Sequence, residues 1–250
     1  VIVMPRKARE KSESGIYHIM LRGINKQVIF EDEEDNLKFL ETLKNYKAIS
    51  GYKIFAYCLM SNHIHLLLKI EKEDIDLIIK RIAGSYVYWY NWKYKRYGHL
   101  FQDRFKSEPV EGEAYFLTVL RYIHQNPIKA GLCTNIDGYK FSSYNEYIQK
   151  PIMVDTEFCF GIIDKEQFVN FNIEYAKDTC LEIEEDNFRL TDEEARKVIR
   201  KISKCRTVTE FQNLSIDKRD KFLKLLRNEG LSIRQIERLT GIGFNIVRKF

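Results

Sequence analysis

The chain has 250 residues, of which 44% are hydrophobic, and it carries a formal net charge of +5. This length supports one substantial buried core or two, and no apolar stretch reaches the roughly 18 residues that a transmembrane helix needs. The five cysteines form no CxxC pair and the basic N-terminal segment precedes no apolar run, so we expect a cytoplasmic protein without a disulfide framework, a zinc knuckle or a secretory signal.

The charge is distributed unevenly along the chain. Residues 1–150 have a net charge of +5, residues 151–216 hold 9 basic and 14 acidic side chains, and residues 217–250 hold 9 basic and 4 acidic ones. Two basic blocks therefore flank an acidic spacer. Such blocks indicate a polyanionic partner, although solvated helix faces would explain them equally well.

The first 130 residues alternate between strand and helix patterns. The predicted elements are a strand over 16–21, a helix opening at 31–35, strands over 52–59 and 63–70 joined by the turn Ser61-Asn62, a helix over 74–97, a short strand near 105–110 and a helix over 113–126. Pro127 is expected to end the last helix. This order predicts an α+β fold with a split βαβ antiparallel sheet, ferredoxin-like or RRM-like, and an added helix.

The rest of the chain predicts an all-α extension. Residues 138–150 are irregular, helical patterns follow at 163–178 and 191–204, and an amphipathic helix covers 217–228. Gly230 then ends that helix, Ser232 caps another, and Gly241 makes a turn before a last basic helix. This pattern matches a helix-turn-helix, with a plain helical hairpin as the alternative.

The most informative motif is His63-Ile64-His65. Side chains alternate along a strand, so both imidazoles project from one sheet face while Ile64 points into a core. This is half of a metal site that needs a third ligand. Tyr122 and Asn126 lie four residues apart on one helix face and would reach the imidazoles if that helix packs on the strand. Two nitrogens and an amide oxygen suit Mg²⁺ or Mn²⁺ better than a closed zinc site, and Tyr122 would be the nucleophile once its phenol, with a usual pKa near 10, is activated.

Three segments together carry a family resemblance. His63-Ile64-His65 resembles the HUH motif, residues 122–132 (YIHQNPIKAGL) resemble the tyrosine-bearing helix of the REP-associated tyrosine transposases, and residues 98–105 (GHLFQDRF) resemble the segment between the two. These proteins are relatives of the IS200/IS605 single-tyrosine (Y1) transposases in the HUH endonuclease superfamily. The resemblance spans roughly residues 5–145.

The resemblance implies a specific site and reaction. His63, His65 and Asn126 would be metal ligands and Tyr122 the nucleophile; the usual amide ligand in IS200/IS605 members is Gln, and Asn126 follows the REP-associated branch. The implied activity is DNA transposition by metal-dependent cleavage of single-stranded DNA, with a 5′-phosphotyrosine intermediate, a free 3′-OH and transfer to another strand. The implied partner is single-stranded or hairpin DNA, and the protein would act as a homodimer or a monomer.

These inferences divide the chain into a Y1 transposase-like catalytic domain over 1–145, an acidic helical spacer over 146–216 and a helix-turn-helix-like DNA-binding segment over 217–250. We expect basic side chains in all but the spacer to contact phosphates. The candidates are Arg6, Lys7, Arg9, Lys11, Arg104, Lys106, Arg234, Arg248 and Lys249.

For other residues near the motifs, the sequence gives weaker support for a role at the site. Gln125 could replace Asn126 if the helix distorts near Pro127, whereas His18, His99 and His124 are assigned no role at the site. The aromatic run over residues 86–97 is interpreted as core packing, with base stacking as the alternative.

Three other functions fit parts of this pattern. A rolling-circle replication initiator or relaxase would use the same chemistry, but the chain is short and has no helicase segment. A domesticated DNA-binding protein would keep the fold without catalysis. An unrelated metal-dependent hydrolase would form no covalent adduct with DNA.

Overall fold

The computed structural model describes residues 9–102, 104–174, 180–181, 192–205 and 207–250. The chain divides into two compact units, Val1–Glu182 and Ile183–Phe250, and each unit has its own hydrophobic core. Within the described ranges, no helix is both long and apolar enough to cross a lipid bilayer.

The first unit has the predicted order of elements. Strands and long helices follow one another as β1 (Ile16–Arg22), α1 (Glu33–Ser50), β2 (Lys53–Met60), β3 (His63–Lys69), α2 (Ile75–Lys93), β4 (Lys106–Pro109) and α3 (Glu113–Lys129). The four strands of the described chain form an antiparallel sheet in the order β2-β3-β1-β4. The predicted α+β fold with a split βαβ sheet is therefore confirmed.

Local sequence signals account for where α1 begins and ends. Asp32 accepts the backbone N–H of Asp35, and the Asp35 carboxylate accepts the backbone N–H of Asp32, so the pair forms a capping box. The helix ends at Gly51, whose φ of 70° lies in the left-handed region that glycine adopts without strain.

The strand register sorts the side chains into two faces. His65 lies opposite Met20 and Leu67 lies opposite His18 in the β1–β3 pairing, so His18, His63 and His65 share one face. Ile64 points to the other face and is fully buried there. Helix α3 packs on the histidine face, where the Tyr122 ring contacts His65.

The two edge strands of the sheet are protected from pairing with another chain in different ways. The β2 edge is covered by the segment 141–143, because Leu59 N–H donates to the Phe141 carbonyl and Ser143 N–H donates to the Tyr57 carbonyl, both at 2.9 Å. The β4 edge has only four residues and ends at Pro109, which has no N–H to offer.

Helix α3 differs from the prediction at its C-terminal end. It continues through Pro127 to Lys129, so the expected stop at Asn126 is wrong. A proline so close to the end removes only one intrahelical hydrogen bond. The turn is closed further on, where Ala130 N–H donates to the Asn126 carbonyl and Leu132 N–H donates to the Pro127 carbonyl, both at 2.9 Å.

The expected boundary at residues 145/146 does not coincide with a division between compact units. Three short helices, α4 (Tyr144–Ile148), α5 (Glu157–Phe160) and α6 (Lys165–Ile173), follow α3 and pack on the core of the first unit. The described part of the acidic spacer is thus shared between the two units, with 146–174 in the first and 192–216 in the second.

A buried carboxylate fastens this segment to the sheet. Glu146 accepts the backbone N–H groups of Ile152, Met153 and Val154 at 2.7, 2.7 and 3.0 Å, and its other oxygen accepts the Tyr57 hydroxyl at 2.8 Å. Hydrogen bonds to an ionised group are stronger than neutral ones, so this cluster holds the chain after α4 against β2.

The second unit consists of helices throughout its described residues. These are α7 (Asp192–Ser203), α8 (Val208–Gln212), α9 (Ile216–Asn228), α10 (Ile233–Thr240) and α11 (Phe244–Val247). Ser232 caps α10 by accepting the Gln235 N–H, as predicted, and Gly241 turns the chain with a φ of 69°. The order of helix, glycine turn and helix is as predicted, but α11 covers only Phe244–Val247, whereas the sequence predicted a last helix over 242–250.

Candidate active site

The structure brings the tyrosine of α3 onto the histidines of the sheet. The Tyr122 ring meets His65 edge to face with 5.6 Å between ring centroids, and His63 lies 5.1 Å from His65. Tyr122 also contacts His18, at 5.8 Å. The phenol and three imidazoles therefore form one cluster between α3 and the sheet.

Each motif histidine has one ring nitrogen in a hydrogen bond. His63 Nδ1 lies 2.7 Å from Asn62 Oδ1, and His65 Nδ1 lies 2.9 Å from His18 Nε2. An amide oxygen only accepts, so His63 Nδ1 carries the proton and the lone pair of the neutral ring lies on Nε2. Metal-binding histidines have this arrangement, in which one nitrogen donates to a neighbour and the other binds the ion.

Both motif histidines are held in the neutral form at pH 7. Burial, together with the positive charge of Arg22, lowers the pKa of His63 to about 4. Burial also lowers the pKa of His65 well below its usual value, with further contributions from His18 and His63. Neutral imidazoles are the form that binds a metal ion, so the donor set fits one.

Asn126 is placed on the expected helix face but makes no hydrogen bond to either motif histidine in the described part of the chain. Its Nδ2 donates to the Tyr122 carbonyl at 2.9 Å, which leaves the amide oxygen as the group able to bind a cation. The side chain of Gln125 is instead held against the C-terminal end of α6, because its buried Nε2 donates to the carbonyls of Asn172 and Glu174, both at 2.8 Å.

The described residues contain no group of three or more His, Cys, Asp or Glu side chains that could hold a metal ion. Among these described residues, a third protein ligand beside His63 and His65 would come from another residue type. The half-buried Asn126, one turn from Tyr122 on α3, meets that requirement.

Three residues of the site were missed by the sequence analysis. His18 is fully buried and joins His65 to Glu108, whose Oε1 lies 2.7 Å from His18 Nδ1. Lys129 Nζ lies 4.7 Å from the centre of the Tyr122 ring. Lys129 follows Tyr122 by seven residues, so helical periodicity could have indicated it, whereas His18 could not be found without the strand register.

His124 does not belong to this cluster. It is fully buried, its Nδ1 lies 3.0 Å from Asn172 Oδ1 and its Nε2 lies 2.9 Å from the Ser143 hydroxyl. Burial lowers the pKa of His124 to about 4, although the hydrogen bond to Asn172 opposes this shift. The residue links α3 to α6 and to the segment before α4.

The expected DNA contacts of the first unit are placed as follows. Arg6 and Lys7 lie outside the described residues. Arg9 makes contacts within the chain, since its guanidinium pairs with Asp76 and lies 3.8 Å from the centre of the Phe105 ring; its contact with phosphate stays a prediction. Arg104 and Lys106 are exposed.

Lys106 is the better placed of these two cations. It lies opposite Met20 in the β1–β4 register, on the face that carries the histidines. Lys106 forms no side-chain ion pair with any described residue.

The three predicted DNA contacts of the second unit lie in α10 and just after α11. Arg234, Arg248 and Lys249 are all exposed, and the Arg234 guanidinium lies 5.2 Å from the centre of the Phe244 ring. Arg238 instead pairs with Asp192, so it is held inside the unit.

The aromatic run of α2 divides between core and surface. Tyr86 and Tyr90 are buried, in agreement with core packing, but Tyr88 and Trp92 are 80% and 73% exposed. These two lie four residues apart on one helix face, so the base-stacking alternative is still open for this pair.

One family model matches part of this chain. Residues 11–126 match the family model described as "Transposase IS200 like". None of the curated proteins matches the chain.

Two solved structures are similar to the chain. A REP-associated tyrosine transposase bound to a REP hairpin has 15% sequence identity and a TM-score of 0.53, with 59% of this chain and 87% of that chain covered. A protein from Deinococcus radiodurans R1, named as a candidate transposase, has 17% identity and a TM-score of 0.35, with 48% and 97% covered. The first structure shares the fold, and the second is too distant to add to that conclusion. Over residues 11–126 the chain is similar to the IS200-like transposases, and this match supports a role in DNA transposition.

Proposed function

We propose that this protein cleaves single-stranded DNA and transfers the cut strand through a covalent 5′-phosphotyrosine on Tyr122. The observation that carries the proposal is the packing of the Tyr122 ring on His65 and His18, beside His63. A nucleophile next to two neutral imidazoles with available ring nitrogens is the arrangement that metal-assisted attack on a phosphodiester requires.

We assign the metal ligands to His63, His65 and Asn126. The first two offer Nε2 and the third offers an amide oxygen, a mixed set with open positions that suits Mg²⁺ or Mn²⁺. A bound ion would polarise the scissile phosphate and lower the charge that the nucleophile has to approach.

Tyr122 supplies the covalent step. Its phenolic oxygen attacks the phosphorus, the P–O3′ bond breaks, and the phenolic proton is balanced by the proton taken up at the free 3′-OH. A second strand with a 3′-OH reverses these bond changes and releases Tyr122. The ammonium of Lys129 above the ring favours the phenolate form electrostatically.

The substrate that we propose is DNA with a hairpin next to a single-stranded segment. The solved relative that shares the fold was bound to a REP hairpin. Lys106, exposed on the histidine face, offers a phosphate contact on the side of the sheet that carries the site. Arg104 is exposed as well and offers a second phosphate contact. Such contacts give affinity without sequence preference.

For the second unit we propose binding to duplex DNA through the helix-turn-helix pattern of α10 and α11. Asn245 in α11 and Arg248 and Lys249 directly after it are exposed, and the Arg234 guanidinium lies over the Phe244 ring. Cations together with an amide side chain suit phosphate and base-edge contacts.

A labelled hairpin oligonucleotide with a single-stranded flank tests the catalytic proposal. The full chain with Mn²⁺ should give an adduct that survives SDS, and Tyr122→Phe should give none. Tyr88→Phe, at an exposed tyrosine of α2, is the matched control and should behave as the wild type. An adduct retained in Tyr122→Phe would refute the nucleophile, and hairpin binding without any adduct would favour the non-catalytic DNA-binding alternative.

A further inference from the structure

We propose that His18 and Glu108 are positioning residues that orient His65 toward the metal through a hydrogen-bonded chain across the sheet. The inference rests on the proposed function, since it concerns one of the two imidazoles assigned to the ion. It adds two residues that act on the site without touching the substrate.

The chain of hydrogen bonds crosses three neighbouring strands. Glu108 on β4 lies directly opposite His18 on β1, and His18 lies two register positions from His65 on β3. Glu108 Oε1 is 2.7 Å from His18 Nδ1, and His18 Nε2 is 2.9 Å from His65 Nδ1. All three side chains share the sheet face that α3 covers, so the register of the sheet creates the chain.

The chemistry of the carboxylate fixes the direction of the first hydrogen bond. A carboxylate only accepts, so His18 Nδ1 donates to Glu108. For the second hydrogen bond, the direction that belongs to the proposal is from His65 Nδ1 to His18 Nε2. The lone pair of His65 is therefore on Nε2, the nitrogen left for a metal ion. This is the carboxylate–histidine–metal arrangement with one additional imidazole in the middle.

Further contacts hold the carboxylate at the end of the chain. The Leu181 N–H donates to Glu108 Oε1 at 2.9 Å, and the Tyr115 hydroxyl bonds to the same carboxylate. Burial by itself would raise the pKa of Glu108, but the interactions with His18, Leu181 and Tyr115 outweigh it and lower the pKa overall. Glu108 thus stays ionised and continues to accept from His18.

The two motif histidines are oriented by different means. His63 donates to its own neighbour Asn62, a contact within the turn that joins β2 and β3. His65 is fixed from two strands away, and both His65 and His18 are nearly inaccessible to solvent. A buried imidazole without a partner costs free energy, so the chain also stabilises His65 in one ring orientation.

NMR of the metal-free protein tests the orientation directly. Long-range ¹H–¹⁵N spectra distinguish the two tautomers of a neutral imidazole. We expect His65 to be protonated on Nδ1 in the wild type and to lose this preference in His18→Phe and in Glu108→Ala. A merely structural role would not move this signal. An Nε2-protonated His65 in the wild type would overturn the inference.

Titration with Mn²⁺, followed by the EPR signal of the free ion, tests the consequence for binding. His18→Phe should weaken Mn²⁺ affinity about 10- to 100-fold, the usual effect of losing such an outer partner. His18→Gln, whose amide oxygen accepts from His65, should restore most of the affinity. His124→Phe is the matched control. It removes an equally buried imidazole that makes two hydrogen bonds but is not part of the series Glu108–His18–His65, so Mn²⁺ affinity should be unchanged.

Glu108→Ala keeps the inference testable if His18→Phe does not fold, since the Glu108 side chain is 22% exposed. Wild-type Mn²⁺ affinity in both His18→Phe and Glu108→Ala would overturn the positioning role while leaving the metal proposal intact. A wild-type protein that binds no Mn²⁺ would overturn the metal proposal instead, and the inference with it.

Discussion

The buried His124 makes the stability of the protein depend on pH in a way that can be calculated. Burial lowers its pKa in the folded state to about 4, whereas an unfolded chain has a histidine pKa of about 6.5. The folded pKa is the lower one, so the unfolded state takes up the proton first as the pH falls. Stability is therefore lost from about pH 6.5 downward, and the loss levels off near pH 4.

The expected size follows from these two pKa values. At pH 5 the unfolded histidine is almost fully protonated and the folded one is about one-tenth protonated, so His124 alone lowers the free energy of unfolding by about 2 kcal/mol between pH 7 and pH 5. His63 titrates over the same range, because its folded pKa is also about 4. The wild-type protein should thus lose more than His124 accounts for.

Urea unfolding of the wild type and of His124→Gln at pH 7 and pH 5 measures this contribution. The variant should lose about 2 kcal/mol less than the wild type between the two pH values, whatever its absolute stability. Phe168→Leu is the matched control, since Phe168 packs against the His124 ring without titrating, and it should keep the wild-type pH dependence. An identical pH dependence in His124→Gln and the wild type would refute the reasoning.

Three further outcomes are expected. Lys129→Met should slow formation of the DNA adduct about 10-fold, equivalent to about 1.4 kcal/mol, while Lys129→Arg should keep most of the wild-type rate. Equal rates for the two variants in a time course would exclude the electrostatic role of Lys129. Glu146→Ala should lower the free energy of unfolding in urea by about 3–5 kcal/mol, because buried N–H groups lose a charged acceptor, and a loss below about 1 kcal/mol would contradict the described clamp. The double variant Arg248→Ala, Lys249→Ala should reduce the slope of log affinity against log salt by about 2 on duplex DNA; an unchanged slope would make α11 a packing element.

The sequence was sufficient for those features that depend on local periodicity. Alternation along β3 predicted that His63 and His65 share a face, and helical spacing predicted that Tyr122 and Asn126 do too. The order of elements predicted the sheet. These features follow from the geometry of one strand or one helix, and they are the ones that the structure confirms.

Other features depended on contacts between distant segments. The sequence analysis assigned no role to His18. Its contact with His65 depends on the β1–β3 register, in which the two residues lie two positions apart, and a single sequence does not specify that register. The contacts of Arg9 with Asp76 and with the Phe105 ring join segments far apart in the sequence, so the basic N-terminal run does not predict them. Pro127 ends a helix by its local preference, yet the following turn is stabilised enough to continue past it.

The protected edges of the sheet have a consequence for how the protein behaves at high concentration. An open strand edge exposes a row of unpaired backbone groups that can recruit another chain and start aggregation. Here the segment 141–143 covers β2, and β4 offers only a short edge that ends in Pro109. Pairing between strands of different molecules is thereby disfavoured at both edges. The sheet of the first unit is therefore limited to the strands of one molecule.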